Sequence, residues 1–360
     1  MRSIILFDDL QLERDAILSG LTKTLGAAAK VVPFEAETAP TEGDSYERHI
    51  SKWIEENLAT DSIGLIACDK ELGRYKSMPG LSATAVAAVA RERGIPCCQY
   101  SRQAKDDKRD FARFERLRRW SSEEISLDGF EVAPWVAQIA ALFAGFETIR
   151  DAYPKVAVAK TPAAALAAIL GHPEAESRIA LYGSGDQGFL IETLALYEGG
   201  QKPDPVQVHM RMTRVLGNWL YLSILRFPGI LVDQGAAASY LNIAPVSFND
   251  PNLRSLFNSA LYDGPFAKLG PWWWRSTLDE ILEKDECQDG LALVQKHGLT
   301  AEPCLDPVTG KPAGLYCMIT RTPVSSENSR GGISWFPSGA DLARIRKDKF
   351  DEITALVGMY

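Results

Sequence analysis

Hydrophobic residues in the first 150 positions follow two different spacings. Short, nearly unbroken apolar runs are typical of strands buried on both faces, whereas apolar residues that recur every three or four positions are typical of helices. The strand-like runs are SIILF, AKVVPF, SIGLIACD, IPCCQYS and EEISLDG, and a helix-like segment follows each of them. This alternation predicts one parallel sheet with helices on both faces.

The segments between these runs carry the helical spacing. After the first strand, Ile17, Leu21 and Leu25 recur every four residues. A charged helix is predicted over 105–119, and an apolar helix, VAPWVAQIAALFAGFETI, closes the series. We therefore predict an α/β fold for residues 1–148, namely a flavodoxin-like, doubly wound sheet of five parallel strands.

The pattern changes after residue 148. Residues 149–175 read as a linker and an Ala-rich helix. Residues 176–360 contain several helical segments, then a Gly-, Pro- and Thr-rich stretch with short strand candidates, and a final helix from Gly339. We predict a second, mainly helical α+β domain over 176–360 that acts as an effector or interaction domain.

Composition and charge restrict the function classes. Hydrophobic residues make up 46% and charged residues 24%, which is typical of a globular protein, and the net charge of −8 gives no support for nucleic-acid binding. No secretory signal pattern follows Arg2, and the six cysteines lack the regular spacing of a disulfide framework. The longest apolar stretch, 215–232, is interrupted by Asn218 and Arg226, so a buried helix and a short strand are predicted there. We expect a soluble, cytoplasmic protein without a membrane span.

Polar residues gather where the predicted strands end. Asp8 and Asp9 follow the first strand, Asp69 ends the third, and Ser101 ends the fourth. Because the carboxyl ends of parallel strands meet at one edge of the sheet, we expect these side chains to converge. Three close carboxylates repel one another unless protons or a cation neutralise them, and Mg²⁺ prefers oxygen ligands. The sequence therefore predicts a metal site formed by Asp8, Asp9 and Asp69.

This arrangement resembles the receiver domain of bacterial two-component response regulators in the order of elements, their spacing and the residues at the strand ends. By that resemblance, Asp8 and Asp9 hold Mg²⁺, Asp69 is the phospho-accepting residue, and Ser101 senses the phosphoryl group. The sequence MPG, in the loop after Asp69, is also similar to the family's loop. The resemblance implies a histidine kinase as partner and control of an attached effector domain.

One residue of the family pattern is missing. The family places a Lys, usually followed by Pro, at the end of strand five, whereas this chain has Leu127, Asp128 and Gly129 in that region. A further carboxylate there disfavours an aspartyl phosphate by like-charge repulsion. Lys70 and Lys105 are candidate substitutes, although neither has the family's position in the chain.

Two interpretations of this pattern stay open. The first is a phosphorylation-switched regulator that is modified on Asp69. The second is a degenerate receiver, or pseudo-receiver, that docks a protein partner or forms a homodimer without catalysis. Such a protein could be one component of a multi-protein bacterial system, for example in anti-phage defence.

A third interpretation is a nucleotide-binding enzyme. Gly183, Gly185 and Gly188 match the pattern G-x-G-x-x-G after the strand-like run RIALY. The acidic residue that such a site requires should follow the next strand, but Asp204 precedes the next strand candidate. A tight turn between two packed elements explains the glycines more simply.

Two further groups of residues have simpler structural explanations. Residues 272–274 are three consecutive tryptophans, which could form an aromatic ligand surface but are favoured as the start of a helix held in the core. The residue types of Cys287, His297, Cys304 and Cys317 suit zinc, but their spacing fits no paired zinc motif.

Overall fold

The computed structural model describes residues 1–35, 40, 43–75, 77–102, 125–129, 131–183 and 204–357. These residues form two compact units: the described residues of 1–102, 125–169 and 204–218 make up the first, and 170–183 and 219–357 make up the second. The charged helix predicted over 105–119, with Lys105, lies outside the described residues, as do Gly185 and Gly188.

A parallel sheet forms the centre of the first unit. Its strands are β1 (Arg2–Phe7), β2 (Ala29–Pro33), β3 (Ile63–Asp69), β4 (Cys97–Arg102) and β5 (Ile125–Gly129). All neighbouring strands run parallel, and their order is β2-β1-β3-β4-β5. This sheet confirms the predicted α/β class and the flavodoxin-like strand order.

The helices of the described residues are numbered along the chain. They are α1 (Gln11–Leu25), α2 (Tyr46–Asn57), α3 (Ala83–Glu92), α4 (Val132–Val156), α5 (Pro162–Ile169), α6 (Glu176–Ala180), α7 (Pro205–Trp219), α8 (Gln234–Tyr240), α9 (Pro245–Phe248), α10 (Pro251–Ser255), α11 (Arg275–Lys284), α12 (Gly290–Lys296) and α13 (Lys347–Val357). Helix α4 continues across residue 148, where we expected the domain boundary.

Helices cover both faces of the parallel sheet. Helices α2 and α3 share one hydrophobic core with alternate residues of the strands, including Phe7 and Cys68. Helices α1 and α4 pack against each other, and Trp135 of α4 contacts the ring of Tyr100 on β4. Every residue of β3 is buried, as its unbroken apolar run predicts for a central strand of a covered sheet.

Helix α4 is the one described helix that is long and apolar enough to cross a membrane. Of the most apolar 18-residue stretch of this helix, 56% is buried within the structure. Helix α4 packs on α1, β3 and β5. A helix that buries its apolar residues against a sheet fits the core of a soluble protein.

The second unit contains short helices and two small sheets. Strands β6 (Leu231–Asp233) and β7 (Trp272–Trp274) pair antiparallel. A four-stranded sheet has the order β10-β11-β8-β9, formed by β8 (Leu315–Cys317), β9 (Thr322–Val324), β10 (Ser329–Arg330) and β11 (Ala343–Arg346). The predicted mainly helical C-terminal region is confirmed.

Two local predictions for the second unit are wrong. Residues 272–274 form β7 rather than the start of a helix, and all three tryptophans are buried, so they form no exposed stacking surface. The segment from Gly339 does not continue as one helix, because Ala343 and Ile345 are buried in alternation and pair within a sheet before α13 begins. In both segments the pairing partner lies far away in sequence.

Helix α7 packs on the first unit although it is distant from the sheet in sequence. Met210 is buried in the core shared with α2 and α3. The His209 Nε2 atom lies 2.8 Å from the carbonyl oxygen of Arg150 on α4. Gly94, before β4, has φ +69°, and a Cβ atom there would lie 2.9 Å from the backbone nitrogen of Arg211. The first unit therefore includes a helix from beyond residue 200.

The contact between Gly94 and α7 gives a test of this packing. We expect Gly94→Ala to lower the free energy of unfolding by about 3 kcal/mol, since it adds both left-handed backbone strain and a collision with the backbone of α7. Gly80→Ala is the matched control, because Gly80 has φ +87° but no atom within 4 Å of the added Cβ. We expect the control to cost only about 1 kcal/mol in urea denaturation. Equal losses in the two variants would contradict the close packing of α7.

Candidate metal centre

Strand register places two of the predicted acids at one level of the sheet. Phe7, the last residue of β1, lies opposite Cys68 of β3, so Asp8 and Asp69 follow at the next position. Asp69 in turn lies opposite Tyr100 of β4. Because paired residues of adjacent strands point to the same face of a sheet, Asp8, Asp69 and Tyr100 form one row at its carboxyl edge.

The three predicted carboxylates come together at this edge. Asp8, Asp9 and Asp69 each offer one oxygen, and these oxygens all lie within 4.8 Å of one another. Asp8 is 0% exposed and Asp69 is 8% exposed. We call these three residues the acidic cluster. Among the described residues it is the one group of three or more His, Cys, Asp or Glu side chains close enough to hold a metal ion.

Both carboxylate oxygens of Asp8 accept a hydrogen bond. The Leu10 N–H donates to Asp8 Oδ1 over 2.8 Å, and the Tyr100 hydroxyl donates to Asp8 Oδ2 over 2.9 Å. The hydroxyl of Tyr75 accepts from the Asp8 N–H at 3.2 Å and lies 3.1 Å from the Asp8 carbonyl oxygen. The side chain and the main chain of Asp8 are therefore both fixed.

Asp9 and Asp69 are each held through one oxygen. The Arg74 N–H donates to Asp9 Oδ2 over 2.5 Å, and the Glu71 N–H donates to Asp69 Oδ1 over 3.1 Å. The other oxygen of Asp9, Oδ1, is buried without a hydrogen-bond partner. In the described part of the chain, none of the three acids forms an ion pair with Lys, Arg or His.

Burial makes these carboxylates harder to ionise. Burial, together with the smaller effect of the charges of Asp8 and Asp9, raises the pKa of Asp69 to about 6, against the opposing Glu71 N–H. Burial also raises the pKa of Asp8, although the Leu10 N–H and the Tyr100 hydroxyl oppose this shift. A positive charge at the cluster would favour the ionised forms of Asp8 and Asp69.

The residues present fit a hard cation. The cluster offers only oxygen ligands, which suit Mg²⁺, Ca²⁺ or Mn²⁺ rather than soft metals. A buried carboxylate oxygen without a donor, such as Asp9 Oδ1, costs free energy that a cation would offset. The acidic cluster could therefore hold a metal ion.

Ser101 and Lys70, which were also predicted near the strand ends, have other neighbours. Ser101 is half-buried on β4 and lies opposite Asp128 of β5. Successive side chains of a strand point to opposite faces, so Ser101 points away from the face of Tyr100. Lys70, a candidate for the missing Lys, donates from Nζ to Ser126 Oγ over 2.5 Å. The residue of β5 opposite Tyr100 is the buried Leu127.

Sequence reasoning missed two tyrosines of the site. Tyr100 immediately precedes Ser101 and is the residue that donates a hydroxyl to the acidic cluster, while Tyr75 comes from the loop after β3. A tyrosine within the apolar run IPCCQYS was the available signal. Only the register between β3 and β4 shows that Tyr100 lies opposite Asp69.

The glycine motif does not have the predicted surroundings. Residues before Gly183 form helix α6 and a turn, so the predicted strand RIALY is wrong. The Gly183 N–H donates to the Ala180 carbonyl oxygen, as expected at the end of a helix.

No protein-family model, no curated protein and no solved structure matches this chain. The strand order and the acidic cluster are therefore the features of this chain that bear on its function.

The raised pKa of Asp69 predicts a pH dependence of stability. Between pH 3.8 and about 6 the folded protein keeps a proton that the unfolded chain has released, so stability falls as pH rises through this window. We expect Asp69→Asn, which keeps an acceptor for the Glu71 N–H, to be more stable than wild type by about 1–2 kcal/mol at neutral pH with EDTA present.

Denaturant titrations across this pH range measure the effect. Asp15→Asn is the control, because it removes one carboxylate at an exposed position of α1, outside the acidic cluster. A difference in stability between the wild type and Asp69→Asn that stays constant from pH 4 to 7 would argue against the raised pKa of Asp69.

Proposed function

We propose that this protein is a regulatory protein in which the first unit is a receiver-like, cation-binding domain that controls or docks the second unit. The observation that carries the proposal is the acidic cluster, in which three carboxylates meet within 4.8 Å and Asp9 Oδ1 is buried without a partner. The strand order β2-β1-β3-β4-β5 supports it, since the cluster lies at the carboxyl edge where sites of such sheets are found.

Mg²⁺ is the cation that we propose for the acidic cluster. Asp8, Asp9 and Asp69 would hold it, and it would supply the positive charge that these carboxylates lack. Mg²⁺ is commonly bound through one or two carboxylates and keeps several waters, which suits a cluster at a sheet edge. Occupancy would also stabilise the loop after β3, because Glu71 and Arg74 of that loop already donate to the same carboxylates.

We propose that the domain is degenerate as a phosphorylation switch. The β5 residue opposite Tyr100 is the apolar Leu127, and Lys70 donates to Ser126 on the same strand. A phosphoryl group on Asp69 would add negative charge beside two further carboxylates, and β5 carries Leu127 in the region where receiver domains have the Lys that balances this charge. The domain would then act by binding a protein partner or a second copy of itself, as expected for a cytoplasmic component of a multi-protein bacterial system.

The phosphorylation-switched regulator differs in one step. Asp69 would attack the phosphorus of a kinase phosphohistidine, forming an O–P bond as the N–P bond to the histidine breaks. The degenerate receiver and the phosphorylation-switched regulator both require the cation site. They differ in whether Asp69 accepts a mimic of the phosphoryl group.

Titration with Mg²⁺, followed by thermal unfolding, tests the proposal. We expect Mg²⁺ to raise the melting temperature of the wild type by several degrees at pH 7.5, since a ligand that binds only the folded state stabilises it. Asp69→Asn should lose this response, whereas Asp15→Asn should keep it. Adding beryllofluoride, a mimic of aspartyl phosphate, should produce no further shift in a degenerate domain.

Two other results would change the proposal. A further shift with beryllofluoride that requires both Mg²⁺ and Asp69 would establish the phosphorylation switch instead. A folded wild type that responds to no divalent cation would remove the cation site from the proposal and leave a docking domain.

A further inference from the structure

We draw no further inference here: the strongest candidate, the exposed apolar loop of the second unit that carries Leu305 and Val308, is held in place by hydrogen bonds to the buried Asp306, but nothing in the structure shows what covers it.

Discussion

The convergence of three carboxylates at one edge of a parallel sheet is the constraint around which the site is arranged. Asp8 and Asp69 are brought to the same level by the register of β1 and β3, and Asp9 lies beside them. Burial and the charges of the neighbouring carboxylates raise the pKa of Asp69 to about 6. Ionisation of Asp69 at neutral pH therefore destabilises the folded protein. Such an arrangement is unfavourable for stability alone, which is why it points to a ligand.

The groups that form hydrogen bonds with these three residues also fix the neighbouring segments of the chain. Backbone N–H groups of Leu10, Glu71 and Arg74 donate to the carboxylates, and the hydroxyl of Tyr75 contacts the main chain of Asp8. The beginning of α1 and the loop after β3 are thereby tied to the acidic cluster.

The site differs from a phosphorylation switch at the strands farthest from β1. The residue of β4 opposite Asp69 is Tyr100, and the residue of β5 opposite Tyr100 is Leu127. A buried phenol donates to Asp8, and no Lys is found at either position. These two features are the reason for proposing a degenerate receiver.

The sequence by itself determined the five strands of the first unit and the positions of Asp8, Asp9 and Asp69, because long apolar runs and strand ends are local features. Only the tertiary structure decided that Tyr100 rather than Ser101 donates to the acidic cluster, since that depends on the register between strands far apart in the chain. Pairing of the same long-range kind made a strand of the three tryptophans at 272–274 and placed α7 against Gly94. Local patterns specify which segments form strands and helices, whereas register and packing are properties of the pairs that meet.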